Sequence, residues 1–151
     1  ILLNTFNNVR YLDDDEFYIQ KKEFDYLTFD LKDNPDLGPI LCVLLTKTGG
    51  RLCNIERLKY KESNRIISMI EELKKFNVNI RLINNDLFID KIDALDTDKI
   101  IDSHNDHRIF MAMAVLATIA QKEVVITGAE AIDKSYPSFI EDLKKLGIVI
   151  K

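Results

Sequence analysis

The sequence has no tryptophan, only three prolines, two cysteines and two histidines, and several of these scarcities remove a class of explanation. Cys42 and Cys53 stand singly inside the apolar runs Leu41 to Leu45 and Leu52 to Ile55. With no CxxC pair and no Cys/His cluster a zinc site is unsupported, the spacing of His104 and His107 being the one alternative for a metal, and thiols in such runs read as small buried hydrophobes. No apolar run is long enough to span a bilayer and nothing has the form of a signal peptide, so a cytoplasmic protein with no membrane partner is expected. Excess positive charge is missing as well. A formal net charge of -4 excludes generic attraction to nucleic acid, so any basic site must be local. The chain also lacks an initiating Met and opens at Ile1 into Leu2 and Leu3, which reads as an excerpt from a longer polypeptide.

What is present suits one folded domain over residues 1–151, since 46% hydrophobic content supplies a core at this length. Val9 to Leu12 and Phe17 to Gln20 read as short strands joined by the acidic turn Asp13-Asp14-Asp15, and Tyr26 to Leu31 as a third. After the breaker cluster Asp33-Asn34-Pro35-Asp36, Ile40 to Thr46 reads as a buried helix closed by Gly49-Gly50, with Arg51 to Ile55 a strand after it. A helix then runs through Phe76. Val78 to Ile83, the turn Asn84-Asn85-Asp86 and Leu87 to Ile89 make a hairpin. Asn105-Asp106 caps a helix over Ile109 to Ile119, and Val124 to Ile126 is a strand. Ser135-Tyr136-Pro137 opens a last helix, with Pro at its first position, and Ile148 to Ile150 reads as a final strand.

Laid over each other, the halves 1–76 and 77–151 match. Val9 falls on Ile80, Ile19 on Ile89, Asp36 on Asp106, and Leu52 to Ile55 on Val124 to Thr127, an offset of about 70 residues throughout. That pattern indicates two copies of one unit. The helices at Ile40 to Leu45 and Met111 to Ala117 are apolar on nearly every side, so both should be buried on nearly every side, with sheets facing solvent.

Four charged clusters stand just ahead of helices. Lys61, Glu62 and Arg65 fit one face at the start of a helix, where cations oppose the macrodipole and a bound anion would relieve the conflict. The competing reading is a solvated surface cluster. In Ser103-His104-Asn105-Asp106-His107-Arg108, capping explains Asp106 but not Arg108, whose planar fork needs a partner at the mouth of a buried helix. Asp36 takes in the first copy the place of Asp106 in the second, and Lys134 precedes the last helix. Together they suit a ligand carrying a phosphate and a carboxylate.

These motifs carry a family resemblance. Lys61-Glu62-Ser63-Asn64-Arg65-Ile66, Asn105-Asp106-His107-Arg108 with Met111 and Ala112, Lys134-Ser135-Tyr136-Pro137-Ser138-Phe139 and Pro35-Asp36 resemble, in order, segments of the 5-enolpyruvylshikimate-3-phosphate synthase family. The resemblance covers essentially the whole chain and only the C-terminal portion of such an enzyme, leaving an N-terminal domain unrepresented. It implies an inside-out α/β (α+β) fold of repeated βαβαββ units with buried helices and solvent-facing sheets. It also implies transfer of the enolpyruvyl group of phosphoenolpyruvate to the 5-hydroxyl of shikimate 3-phosphate, with no metal or organic cofactor. Residue by residue, Asp36 resembles the carboxylate that binds the shikimate hydroxyls and accepts the 5-OH proton. Lys61 and Glu62 resemble the groups beside the phosphoenolpyruvate methylene, while Arg65, Arg108 and Lys134 resemble the cations that hold phosphoenolpyruvate. Asp106 and His107 are supporting residues.

Two positions depart from the family: Asn64 stands where Asp is usual, and Arg57 where some members place an Asn that touches shikimate phosphate. The family's substrates lie between two domains, so this chain alone is expected to be inactive. The alternatives are the enolpyruvyl transferase acting on UDP-N-acetylglucosamine and a non-catalytic anion-binding module on the same scaffold.

Overall fold

A computed structural model describes residues 9–13, 16–19 and 24–151, the first two segments by their backbone alone. Asp14, Asp15 and Gln20 of the expected first hairpin, and residues 1–3, lie outside the described residues. The backbone of β1 (Val9–Asp13) and β2 (Glu16–Ile19) pairs antiparallel, Val9 opposite Ile19.

The next elements are β3 (Leu27–Asp30), a 3-10 turn at Pro35–Leu37, α1 (Gly38–Thr48) and β4 (Gly50–Cys53). β3 and β4 are parallel, joined across α1, with Leu27 opposite Gly50. A second 3-10 turn, Glu56–Tyr60, precedes α2 (Arg65–Lys75). β5 (Ile80–Ile83) and β6 (Asp86–Ile89) then form a hairpin on Asn84 and Asn85, both at positive φ, where the short polar Asn side chain tolerates the left-handed region. β6 adds antiparallel to β4, so the sheet runs β3-β4-β6-β5. The second half continues with β7 (Ile101–Asp102), α3 (His107–Ala117), β8 (Ile126–Thr127), a 3-10 turn at Ala129–Lys134 and α4 (Phe139–Lys145), with β7 and β8 parallel.

Alternation sorts the sheet's two faces. Phe29, Leu52, Leu87 and Ile89 are buried, while on the other face Arg51 binds Asp86 and lies over the Phe88 ring, 5.4 Å from its centroid. The buried face meets α1, and α1 packs in turn on α2 and α3. Leu41, Leu45, Met69, Leu73, Ile109, Met113 and Leu116 join these helices to the sheet in one core. No residue of α3 is exposed, and Ile40 alone is exposed in α1, as all-round apolar helices require. Both cysteines are free; Cys42 is buried, which pushes its thiol up to about 12, and Cys53 is partly buried.

Most element ends shift by one or two residues from the sequence reading, and three differences matter more. α2 begins at Arg65 because Asn64 caps it, its side chain accepting from the Ile67 N–H at 3.4 Å, which leaves Lys61 and Glu62 in the preceding loop. α4 begins at Phe139, not at Pro137: the 3-10 turn runs to Lys134, and the residue before a proline is disfavoured in helix. Ile148 to Ile150 forms no strand, having no partner strand among the described residues.

Candidate active site

Three helix starts meet at one cleft. Asp36 is the middle residue of the 3-10 turn leading into α1, and Lys61 and Glu62 lie in the loop before α2. Arg65 opens α2, while Asp106 caps α3 and His107 and Arg108 form its first turn. Asp36, Tyr60, Lys61, Glu62, Arg65, His107 and Arg108 line a cleft of about 420 Å³.

Arg65 organises it. Only 1% exposed, its guanidinium grips Asp106 with two nitrogens, Nε to Oδ2 at 2.8 Å and Nη2 to Oδ1 at 3.1 Å. Nη1 donates to Asp36 Oδ1 at 2.9 Å, and Nη2 also reaches the Glu62 carboxylate. Burial works against the charge, but the Asp106, Glu62 and Asp36 carboxylates outweigh it and raise the Arg65 pKa. A planar fork is what allows one side chain to tie three carboxylates.

Asp106 has no exposed surface. Besides Arg65 it accepts from the Arg108 N–H at 2.9 Å, which is its capping bond, and from the Ser63 hydroxyl at 3.1 Å. Burial pushes its pKa up, yet the Arg65 hydrogen bond and charge prevail and hold it below the ordinary carboxylate value. Asp36 is more open and pairs with Lys61 Nζ at 2.9 Å and Arg108 Nη2 at 3.4 Å. Its pKa is lowered, first by the Lys61 hydrogen bond, against partial burial.

The cluster is charge-balanced: Lys61, Arg65 and Arg108 face Asp36, Glu62 and Asp106. An incoming anion must therefore take cations from carboxylates that already hold them. Lys61 and Arg108 can make that exchange, with 24% and 36% of their side chains exposed. Buried Arg65 is placed to hold the carboxylates themselves. His107 Nδ1 is buried without a hydrogen-bond partner, 3.5 Å from Glu62 Oε1.

The ligand atoms of Glu62, Asp106 and His107 lie within 4.8 Å of one another, as do those of Glu71, Glu72 and His104. Carboxylates of each set already hold a protein cation, Glu62 and Asp106 binding Arg65 in the first and Glu72 binding Lys75 in the second. Both read as ion-pair networks, since a metal would have to displace that cation.

The structure thus brings together Asp36, Lys61, Glu62, Arg65, Asp106, His107 and Arg108. It does not bring Lys134 into that cleft; Lys134 is exposed at the end of the 3-10 turn that packs on α3. Arg57 is also outside, donating to the Lys32 carbonyl. Sequence reasoning gave no role to Ser63, which binds Asp106, or to Tyr60, 84% exposed at the cleft wall. The sole signal for either was membership of the charged motif. Asn64 spends its side chain on capping, and Asn and Asp cap about equally well, so this departure from the family costs little structurally.

Comparison with known proteins identifies the family. The family model described as EPSP synthase (3-phosphoshikimate 1-carboxyvinyltransferase) matches residues 7–143. The chain is 36% identical over 143 residues to the 3-phosphoshikimate 1-carboxyvinyltransferase of Brachyspira hyodysenteriae, covering 93% of this chain and 34% of that protein. It is 39% identical over 123 residues to the one from Korarchaeum cryptofilum, covering 80% and 29%. The solved EPSP synthase from Acinetobacter baumannii superposes with a TM-score of 0.76 at 21% identity, over 85% of this chain and 32% of that one, which speaks for the fold. The chain spans about a third of the length of these relatives. With three of its four charged motifs at one cleft and the family model matching residues 7–143, the chain belongs to the EPSP synthase (3-phosphoshikimate 1-carboxyvinyltransferase) family.

Proposed function

We propose that this chain supplies one wall of a site that transfers the enolpyruvyl group of phosphoenolpyruvate to the 5-hydroxyl of shikimate 3-phosphate, releasing phosphate. The observation that carries the reading is the convergence of Asp36, Lys61, Glu62 and Arg108 on one cleft, braced from behind by Arg65. The relatives bear the name of that activity, which favours it over transfer to UDP-N-acetylglucosamine and over a non-catalytic module.

The chemistry follows from the charge balance. Lys61 and Arg108 turn from Asp36 to the phosphate and carboxylate of phosphoenolpyruvate, while Lys134, exposed outside the cleft, takes no part in that hold. Losing those partners raises the basicity of Asp36 at the moment it is needed, so its carboxylate takes the proton of the 5-hydroxyl. As that oxygen bonds to C2 of phosphoenolpyruvate, Lys61 or Glu62 delivers a proton to C3, giving a tetrahedral intermediate. In the second half the same pair removes a proton from C3 and the C2–O bond to phosphate breaks. The electrons of the broken C3–H bond form the C2=C3 double bond, those of the C2–O bond leave on phosphate, and the cations stabilise the departing phosphate. His107, 3.5 Å from Glu62, supports that carboxylate, and Asp106 holds Arg65 in place.

Two copies of one unit, 1–76 and 77–151, and a second domain outside these residues complete the proposal. The second domain supplies the rest of the shikimate phosphate site, so residues 1–151 by themselves do not turn over. Replacing Arg108 by Ala in the protein as its gene encodes it tests the site. Phosphoenolpyruvate binding followed by calorimetry should weaken by 10-fold or more, the scale of a lost charged hydrogen bond. Unchanged affinity would remove Arg108 from the site.

A further inference from the structure

Arg65 is not the only buried charge on α2. Glu72, seven residues further, projects from the same stripe of the helix and is also 1% exposed. The mechanism above does not use it. Its two oxygens accept from Lys75 Nζ at 2.9 and 2.7 Å, from the Asp102 N–H at 2.9 Å and from His104 Nε2 at 2.9 Å. Lys75 Nζ also donates to the Ile100 carbonyl at 2.9 Å. One end of α2 therefore binds residues 100–104, and the other end, through Arg65, binds Asp106.

Between those anchors lies an unfavourable turn. His104 and Asn105 both adopt positive φ, 52° and 54°, a conformation that Asn tolerates but that His reaches at a cost and keeps where its surroundings hold it. Here His104 is held by Glu72 and by its own N–H on Asp102 Oδ1 at 2.7 Å, and the Asn105 N–H rests on Ser103 Oγ at 3.3 Å. The next residues are Asp106, His107 and Arg108. The turn thus fixes where the α3 N-terminus begins and how Arg108 enters the cleft.

We infer that Glu72, acting through His104, is a positioning residue for Arg108: it locks the left-handed turn from which the Asp106–Arg108 arm of the anion site projects. This rests on the reading of Arg108 as a phosphoenolpyruvate ligand. No Glu72 atom touches the cleft, so its effect on binding must pass through that arm.

The test is a double-mutant cycle on phosphoenolpyruvate affinity, in the protein as its gene encodes it, using Arg108→Ala, Glu72→Gln and His104→Asn. Asn tolerates the left-handed region while giving up the bond to Glu72, so His104→Asn keeps the test intact should Glu72→Gln fail to fold. Glu72→Gln and His104→Asn are each expected to weaken binding about 5- to 10-fold alone and by less than 2-fold more when added to Arg108→Ala, because coupled residues are non-additive. A general loss of stability would instead act equally in both backgrounds, and that outcome overturns the inference. So does unchanged affinity in folded Glu72→Gln or His104→Asn while Arg108→Ala weakens binding. If Arg108→Ala itself leaves affinity unchanged, the site reading fails, and this inference fails with it.

Discussion

Arg65 is the residue on which the cleft depends, and its surroundings explain why Asp106 cannot be exchanged freely. Removing Asp106 leaves a buried guanidinium with two of its four hydrogen bonds gone and α3 without its cap, which predicts a loss of about 3–5 kcal/mol for Asp106→Ala at neutral pH. The pH dependence has a definite sign. The folded Asp106 carboxyl titrates below its ordinary value of 3.8, so its contribution is complete above about pH 4 and is lost as pH falls through the folded value. Urea titrations of wild type and variant should converge below that pH; a stability gap that stays constant into strong acid would contradict the assignment. At this scale the sequence was legible in part. Asp36, Lys61, Arg65 and Arg108 stood out as charges ahead of apolar helices, and the structure gathers all four. That Arg65 would be buried while Lys61 and Arg108 stay accessible was not legible, because it depends on which side chain the three helix starts enclose. Nor was Glu72 visible, since a glutamate in mid-helix looks like a solvated face until its neighbours across the fold are known.

At the scale of elements, hydrophobic periodicity and turn chemistry carried the reading. Asn84-Asn85 between two alternating runs gave the hairpin, Asp106 gave the start of α3, and Gly49 closed α1, its N–H returning to the Leu45 carbonyl at 2.8 Å. The errors fell where short-range rules compete. A lysine and a glutamate joined to an apolar run suggested a helix from Lys61, and the stronger N-cap at Asn64 moved the start to Arg65. Gly50 shows what an element boundary can demand. It sits at φ 153°, and a Cβ there would lie 2.1 Å from the Leu27 carbonyl oxygen, across the parallel pair. Gly50→Ala must therefore push β3 from β4, at a cost of about 3 kcal/mol or more. Thermal melts of the variant check this, and an unchanged Tm would mean that the strand pairing yields more easily than the geometry implies.

For the whole molecule, the sequence disclosed a pattern that no single element carries. An offset of about 70 residues relates the halves in sequence; the order hairpin, strand, helix, strand, 3-10 turn, helix recurs, with a further 3-10 turn at Pro35–Leu37 before the helix of the first half. The two most apolar helices occupy equivalent places and both lie inside. What the offset could not disclose is that the second hairpin joins the first half's sheet, with β6 on β4, because pairing between units is set by packing in space. The consequence is functional. Buried helices that start at one end bring Asp36, Arg65 and Arg108 within reach of each other, and the sheets outside leave that end open.

The central claim is that this open end carries enolpyruvyl transfer with Asp36 as the base. Its most direct test is phosphate release by the protein as its gene encodes it, with phosphoenolpyruvate and shikimate 3-phosphate supplied together, for wild type and Asp36→Asn. The account predicts release that requires both substrates and a fall in kcat of about 10²-fold or more in the variant, the scale of a lost general base. Release at the wild-type rate by Asp36→Asn, or none from wild type with both substrates present, would contradict it.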